Sequence, residues 1–142
     1  MLTYAIAQVA GALAGALALR AILGPGVSLG VTKPAGTDLQ SLAMEAVLTF
    51  FLMLVITAVA ADTRAVGEAA AVAIGGCVAL GALVGVPVSG ASMNPARSLG
   101  PALVSGDLSH IWVYLAGPLL GSVVAAALYR WLRTGQEEPL PA

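Results

Sequence analysis

Four apolar stretches, each close to the length of one bilayer crossing, constrain this chain more than any other feature. They run from about residue 2 to 23, 39 to 61, 69 to 86 and 111 to 132. A hydrocarbon core ~30 Å thick takes roughly 20 helical residues to cross. Hydrophobic residues make up 59% of the 142, charged residues only 9%, and mean hydropathy is +0.96. A soluble domain carries roughly 25% charged residues, so the expected class is an all-α membrane protein embedded in a lipid bilayer.

Breaks between the spans are equally plain. Gly24-Pro25-Gly26 ends the first, and a polar loop with Lys33, Pro34, Gly36 and Asp38 follows. Asp62-Thr63-Arg64 with Gly67-Glu68 forms a short charged turn, and Pro87-Val88-Ser89-Gly90 ends the third span. Residues 134–142, with Glu137, Glu138 and two prolines, read as a flexible, solvated tail. Four spans put both termini on one side. Arg64, Arg130 and Arg133 share it, against Arg20 and Lys33 opposite, which points to cytoplasmic ends.

Several function classes drop out. A net charge of −1 offers no basic face for nucleic acid. The single Cys77 allows neither an internal disulfide nor a thiolate metal cluster and reads as a small buried hydrophobe. Met1-Leu2-Thr3-Tyr4 lacks the positive charge of a signal peptide. Gly11/Gly15, Gly81/Gly85 and Gly117/Gly121 have the small-xxx-small spacing that lets membrane helices approach closely.

Between the third and fourth spans stands Ser92-Met93-Asn94-Pro95-Ala96-Arg97-Ser98-Leu99-Gly100-Pro101. Asn is a strong N-cap and Pro suits the first helical position, so a helix should begin at Pro95 and run to about residue 104. Ten residues rise only ~15 Å, half a bilayer. Such a half-helix aims its positive dipole end at mid-membrane, as in channels and transporters.

Arg97, three residues after Asn94, occupies a nearby position on one helix face about one turn further out. A cation in a constriction repels other cations, while its N–H groups can bond a neutral solute. The amide N–H₂ of Asn94 stays free when its oxygen caps the helix. Glu45 sits about two turns inside the second span and must find donors, for which the irregular segment Ser89–Met93 is the obvious source. It reads as a structural anchor or as a proton-coupling carboxylate. No second acidic residue or histidine lies in the spans to complete a relay, which favours the anchor. His110 reads as an interfacial polar residue. No catalytic triad, metal cluster, phosphate loop or cofactor motif is legible, which points away from an enzyme.

Ser-Met-Asn-Pro-Ala-Arg-Ser with Gly100-Pro101 resembles the second signature of the aquaporin (major intrinsic protein) family. Tyr4–Gln8 with Gly11-Ala12 is similar to the family's third span. Asp62–Glu68 resembles the loop before its fifth, and Ile111-Trp112-Val113-Tyr114 through Gly117-Pro118 its sixth. The wording Ala-Asp-Thr-Arg-Ala-Val-Gly-Glu and Gly-Ala-Ser-Met-Asn-Pro-Ala-Arg leans toward nodulin-like members. The resemblance implies a partial right-handed helical bundle over residues 1–133, with four spans and one re-entrant half-helix. Asn94, Pro95 and Ala96 would form the pore motif, and Arg97, Ala82 and Ala91 positions of the outer selectivity filter. The carbonyls of Gly90, Ala91 and Ser92 would line one pore wall, and Glu45 would brace that loop. Two alanines in the filter resemble the nodulin-like, glycerol- or metalloid-permeable branch more than strict water channels. Ser98, where simple glycerol facilitators carry Asp, sets the chain apart from those; the solutes implied are water, glycerol, urea or undissociated metalloid acids. The family also implies a homotetramer in the cell membrane.

The family has six spans and two Asn-Pro-Ala motifs; this chain shows four and one. One pore wall alone would expose Asn94, Arg97 and loop backbone to lipid, which is untenable. The expectation is therefore a fragment of a six-span channel, with two chains around a shared pore as the other solution. An ion-coupled secondary transporter and a truncated subunit without transport are the rival readings.

Overall fold

Five helices form among the described residues, 2–61 and 69–134, of a computed structural model. They are α1 (Leu2–Leu23), α2 (Asp38–Ile56), α3 (Ala70–Ser89), α4 (Pro95–Ser105) and α5 (Ile111–Thr134). Four of them, all but α4, are long and apolar enough to cross a membrane, with α2 counted through Ala61. The expected turn Asp62–Glu68 and the expected tail beyond Thr134 lie outside the described residues.

Local chemistry sets most boundaries. Thr37 and Gln40 form a reciprocal capping box at the start of α2. Past Ile56 the helix loosens into a π-turn over Thr57–Ala61, where the Thr57 hydroxyl donates to the Met53 carbonyl at 2.7 Å. The third helix does not stop at Val86 as the sequence suggested but continues through Pro87 to Ser89. One proline near a helix end forfeits a single backbone bond. The stop is instead Gly90, whose φ of +84° is the left-handed cap conformation and whose N–H donates to Val86. Gly106 ends α4 in the same way, at φ +78°.

The side chains are distributed inside out. Many of the large apolar groups, including Leu2, Val72, Leu83 and Trp131, face outward, where lipid covers them as well as protein would. The fully buried side chains include Glu45, Ser41, Ser89, Ser98 and Tyr114. With little hydrophobic driving force between helices in lipid, close backbone packing and internal hydrogen bonds hold the bundle. Helix α2 packs on both α3 and α5, while α1 packs on α4 alone among the described helices.

Glycine permits the closest of these approaches. A Cβ on Gly117 would lie 2.7 Å from the Glu45 Cβ, and one on Gly121 would overlap the Ala46 carbonyl oxygen. Gly81 and Gly85 make room for Met93, Leu48 and Ala91. The Gly11/Gly15 pair is different: nothing described lies within 4 Å of either added Cβ, so the spacing marks no packed seam there. Gly100 supplies the contact with α1, its Cβ position lying 2.6 Å from that of Ala12.

Asp38, at the start of α2, ties two helices together. His110 Nδ1–H donates to one carboxylate oxygen at 2.8 Å and Trp112 Nε1–H to the other at 3.2 Å. A carboxylate acceptor requires that Nδ1 carry the proton. Gly121→Val is expected to force α2 from α5 and lower stability by about 1–3 kcal/mol, the cost of overpacking. Thermal unfolding in detergent measures it, with Gly75→Ala, which meets nothing within 4 Å, shifting the midpoint far less.

Candidate functional site

The segment between α3 and α4 is built on alternating backbone hand. Gly90, Ala91 and Met93 have φ of +84°, +47° and +53°, and Asn94 returns to an extended −155°. Left-handed conformations cost non-glycine residues about 1–2 kcal/mol each, so something must hold them. Glu45 does. Its Oε1 accepts from the Ser92 N–H at 2.8 Å and the Ser89 hydroxyl at 2.7 Å, and its Oε2 from the Met93 N–H at 2.8 Å. Successive N–H groups turned to one side form a concavity for an anion, here filled by a side chain of the same protein.

The end of α3 is satisfied just as fully. The Val88 carbonyl accepts from the Ser41 hydroxyl at 3.1 Å and the Ala35 N–H at 3.0 Å. Tyr114, from α5, donates its hydroxyl to the Ser89 carbonyl at 2.7 Å. These are carbonyls that a helix terminus leaves unpaired. Among the described residues, by contrast, no donor reaches the carbonyls of Gly90, Ala91 or Ser92. The loop thus has its donors engaged and three acceptors spare.

Helix α4 begins at Pro95 with Asn94 as its cap, whose Oδ1 accepts from the Ala96 N–H at 2.9 Å. That orientation leaves the Asn94 N–H₂ unengaged among the described residues. Arg97 is exposed and reaches across to the α1–α2 loop, donating from Nη1 to the Gly30 carbonyl at 2.7 Å. At the far end of α4, Arg20 of α1 donates to the Val104 carbonyl at 3.2 Å, placing a cation at the negative end of the helix dipole.

Asn94, Ala96 and Arg97 share one open groove of about 420 Å³ with Gln8, Ala12 and Gly15 of α1 and with Gly30. It is lined by mixed polar and apolar groups running from an amide on α1 to a guanidinium at the α1–α2 loop. Pro95 starts α4 half-buried beside it. Ala91 packs instead in a buried cluster with Leu48 and Met93, and Ala82 lies half-buried on α3. Neither alanine lines this groove. Among the described residues no group of three metal-ligating side chains forms.

Three participants have no role that the sequence alone assigns. Gly30 and Tyr114 act across 67 and 25 residues of chain, and no local pattern marks such partners. Gln8 was visible as a polar residue in an apolar span, which was signal enough to place it near a path.

The family model described as Major intrinsic protein matches residues 1–129. Aquaporin NIP1-3 of Oryza sativa subsp. japonica is 52% identical over 132 residues, covering 92% of this chain and 46% of its own. Nodulin-26 of Glycine max is 47% identical over 131 residues, at 92% and 48%. Aquaporin NIP6-1 of Arabidopsis thaliana is 44% identical over 138 residues, at 97% and 45%. The chain therefore spans about half the length of the curated relatives it matches.

Glu45→Gln is expected to turn an amide N–H₂ toward donors that now meet a carboxylate, costing about 2–4 kcal/mol of stability. Calorimetry of the detergent-solubilised protein would show it; an unchanged midpoint would remove Glu45 as the loop's anchor. A second outcome concerns the loops before α2 and α5, where Lys33 Nζ sits 2.6 Å from Asp107 Oδ2. Hydrogen bonding from Lys33, then from Ser109, holds the Asp107 carboxyl well below the ordinary aspartate range. A depressed carboxylate contributes above its unfolded pKa and loses that contribution as pH falls through the folded one. The Lys33–Asp107 pair should therefore persist through mild acid and release only under strongly acidic conditions, as chemical shifts of Asp107 would report.

Proposed function

The chain belongs to the major intrinsic protein (aquaporin) family, and we propose that it supplies one wall of a passive channel for water and small uncharged solutes. The observation that carries this reading is the shared groove. A half-helix N-terminus places an unengaged amide, Asn94, beside a tethered guanidinium, Arg97, in a helical membrane protein.

The chemistry supports it. A solute leaving water must exchange hydrogen bonds as it moves. Asn94 and Arg97 offer donors in the groove, and the spare carbonyls of Gly90, Ala91 and Ser92 just before Asn94 are proposed as the acceptors of the completed path, so both halves of a hydroxyl group's needs would be met. A cation meets the Arg97 charge and the positive end of α4, and both oppose it. No carboxylate or histidine is described lining the groove to accept a proton in passing. Alanine at 82 and 91 leaves the proposed outer filter wide and weakly polar, which suits glycerol, urea or undissociated metalloid acids. The half-helix opens toward the outer face, both ends of the chain are cytoplasmic, and the host is the cell membrane. The opposite wall comes from further residues of the same protein or from another chain, and the assembly is a homotetramer.

Flux into proteoliposomes holding the protein at its natural length tests the reading. Linear passage of water and glycerol down their own gradients, with no need of an ion gradient, is expected. In Arg97→Ala, discrimination against cations should fall about tenfold, the equivalent of one charge-assisted hydrogen bond. Saturable uptake that needs an ion gradient and Glu45 would replace the channel with a secondary transporter. An intact mass well above that of 142 residues would assign the second wall to the same polypeptide.

A further inference from the structure

Behind Arg97 runs a line of buried hydroxyls. The Thr32 and Ser98 oxygens are 2.7 Å apart, and those of Ser98 and Ser92 are 2.6 Å apart. The Ser92 hydroxyl lies 2.8 Å from the Asn94 carbonyl, to which it can only donate. That donation uses its one proton, so Ser92 must accept from Ser98. Ser98 has then spent its own proton and must accept from Thr32. The relay therefore has a single direction, from the α1–α2 loop through α4 to the Asn94 cap.

Thr32 stands two residues from Gly30, the carbonyl that holds Arg97. We propose that Thr32 and Ser98 are positioning residues for selectivity: their hydrogen bond seats the Gly30 carbonyl and so keeps the Arg97 guanidinium against the wall of the path. This deepens the channel reading and rests on it. Ser98 follows Arg97 directly on the half-helix, so one end of the link moves with the arginine. The other end is carried on a loop that has few further fastenings. The Ala35 N–H reaches Val88, and Lys33 reaches Asp107. Gly30 itself has φ +77° in a tight local turn, with its N–H on the Ser28 carbonyl and the buried Leu29 beside it, so its own carbonyl takes its position from that turn and from Thr32 two residues on. Thr32 is itself buried, which removes competition from water.

Without the link, the turn carrying the Gly30 carbonyl is held less firmly against α4 and Arg97 samples the path. A wandering guanidinium excludes a larger solute before it excludes water. In Thr32→Val the ratio of glycerol to water permeability should fall about fivefold, the equivalent of one neutral hydrogen bond. The substitution keeps shape and orphans no donor, because Ser98 still donates to Ser92. Thr32→Ser, which keeps the hydroxyl, should restore the ratio. The second readout is the ¹⁵N resonance of Arg97 Nε, assigned by its loss in Arg97→Lys, which should broaden in Thr32→Val and sharpen again in Thr32→Ser. Ser98→Ala removes the acceptor and should reproduce both effects, which keeps the test open where Thr32→Val fails to fold. An unaltered ratio and an unaltered Arg97 signal in these variants would overturn the proposal, as would equal effects of Thr32→Val and Thr32→Ser. A wild-type protein that passes no solute would sink the channel reading and the selectivity role with it. The Arg97 resonance would then report separately on whether the relay orders the guanidinium.

Discussion

The three hydrogen bonds accepted by Glu45 are the interaction on which the rest of the structure depends. They gather a loop whose backbone hand alternates against its own preference and turn the Ser92 and Met93 N–H groups away from the groove. With those donors drawn to one side, the carbonyls of Gly90, Ala91 and Ser92 are spare, and Asn94 starts α4 at a defined point and angle. Charge-assisted bonds of this kind contribute about 1.5–3 kcal/mol each, enough to offset two left-handed residues. A serine or glutamine at position 45 could not accept all three.

Burial of charge is costly, and in this chain it is tolerated because the protein interior is the polar side. Lipid removes the incentive to bury leucine and valine, so the large apolar residues face outward and the interior goes to serine, threonine, tyrosine and glutamate. Each of those groups then needs a partner. Ser41, Ser89, Ser92, Ser98 and Tyr114 find theirs in backbone carbonyls, in the Glu45 carboxylate and in one another. Among the described residues, Thr49 is the buried hydroxyl without one. Glycine at 117 and 121 lets α5 come close enough to α2 for this polar interior to close around Glu45.

Helix α1 borders the groove and packs on α4 alone among the described helices. It meets α4 where Gly100 admits the Ala12 backbone, and Arg20 adds a bond to the last turn of α4. Away from that seam its side chains line open space, and Gln8 and Gly15 there face Asn94 and Arg97. A path for solute needs walls that do not collapse onto one another. A narrow, glycine-mediated contact at one end and a guanidinium tether at the other keep this one apart.

Much of this was legible in the order of residues. Four apolar runs of bilayer length dictate helices, because only a helix pairs its own backbone within one span. Asn94-Pro95 dictates the start of α4, because an amide cap and a preset φ act within one turn. Glu45 and Arg97 stand out because ionisable groups in such spans are rare and costly. What the order of residues could not decide was contact at a distance. It could not say that α3 would pass Pro87 and stop at Gly90, or that Gly11 and Gly15 would meet nothing where Gly117 and Gly121 meet α2. Nor could it say that Gly30 would receive Arg97, or that Thr32 would lie against Ser98. Those pairings join residues tens of positions apart, and they exist only once packing has chosen which helix faces which. Sequence determined the elements and the chemistry they carry; tertiary structure alone decided which donor met which acceptor, because hydrogen bonding is a matter of ångströms and angles.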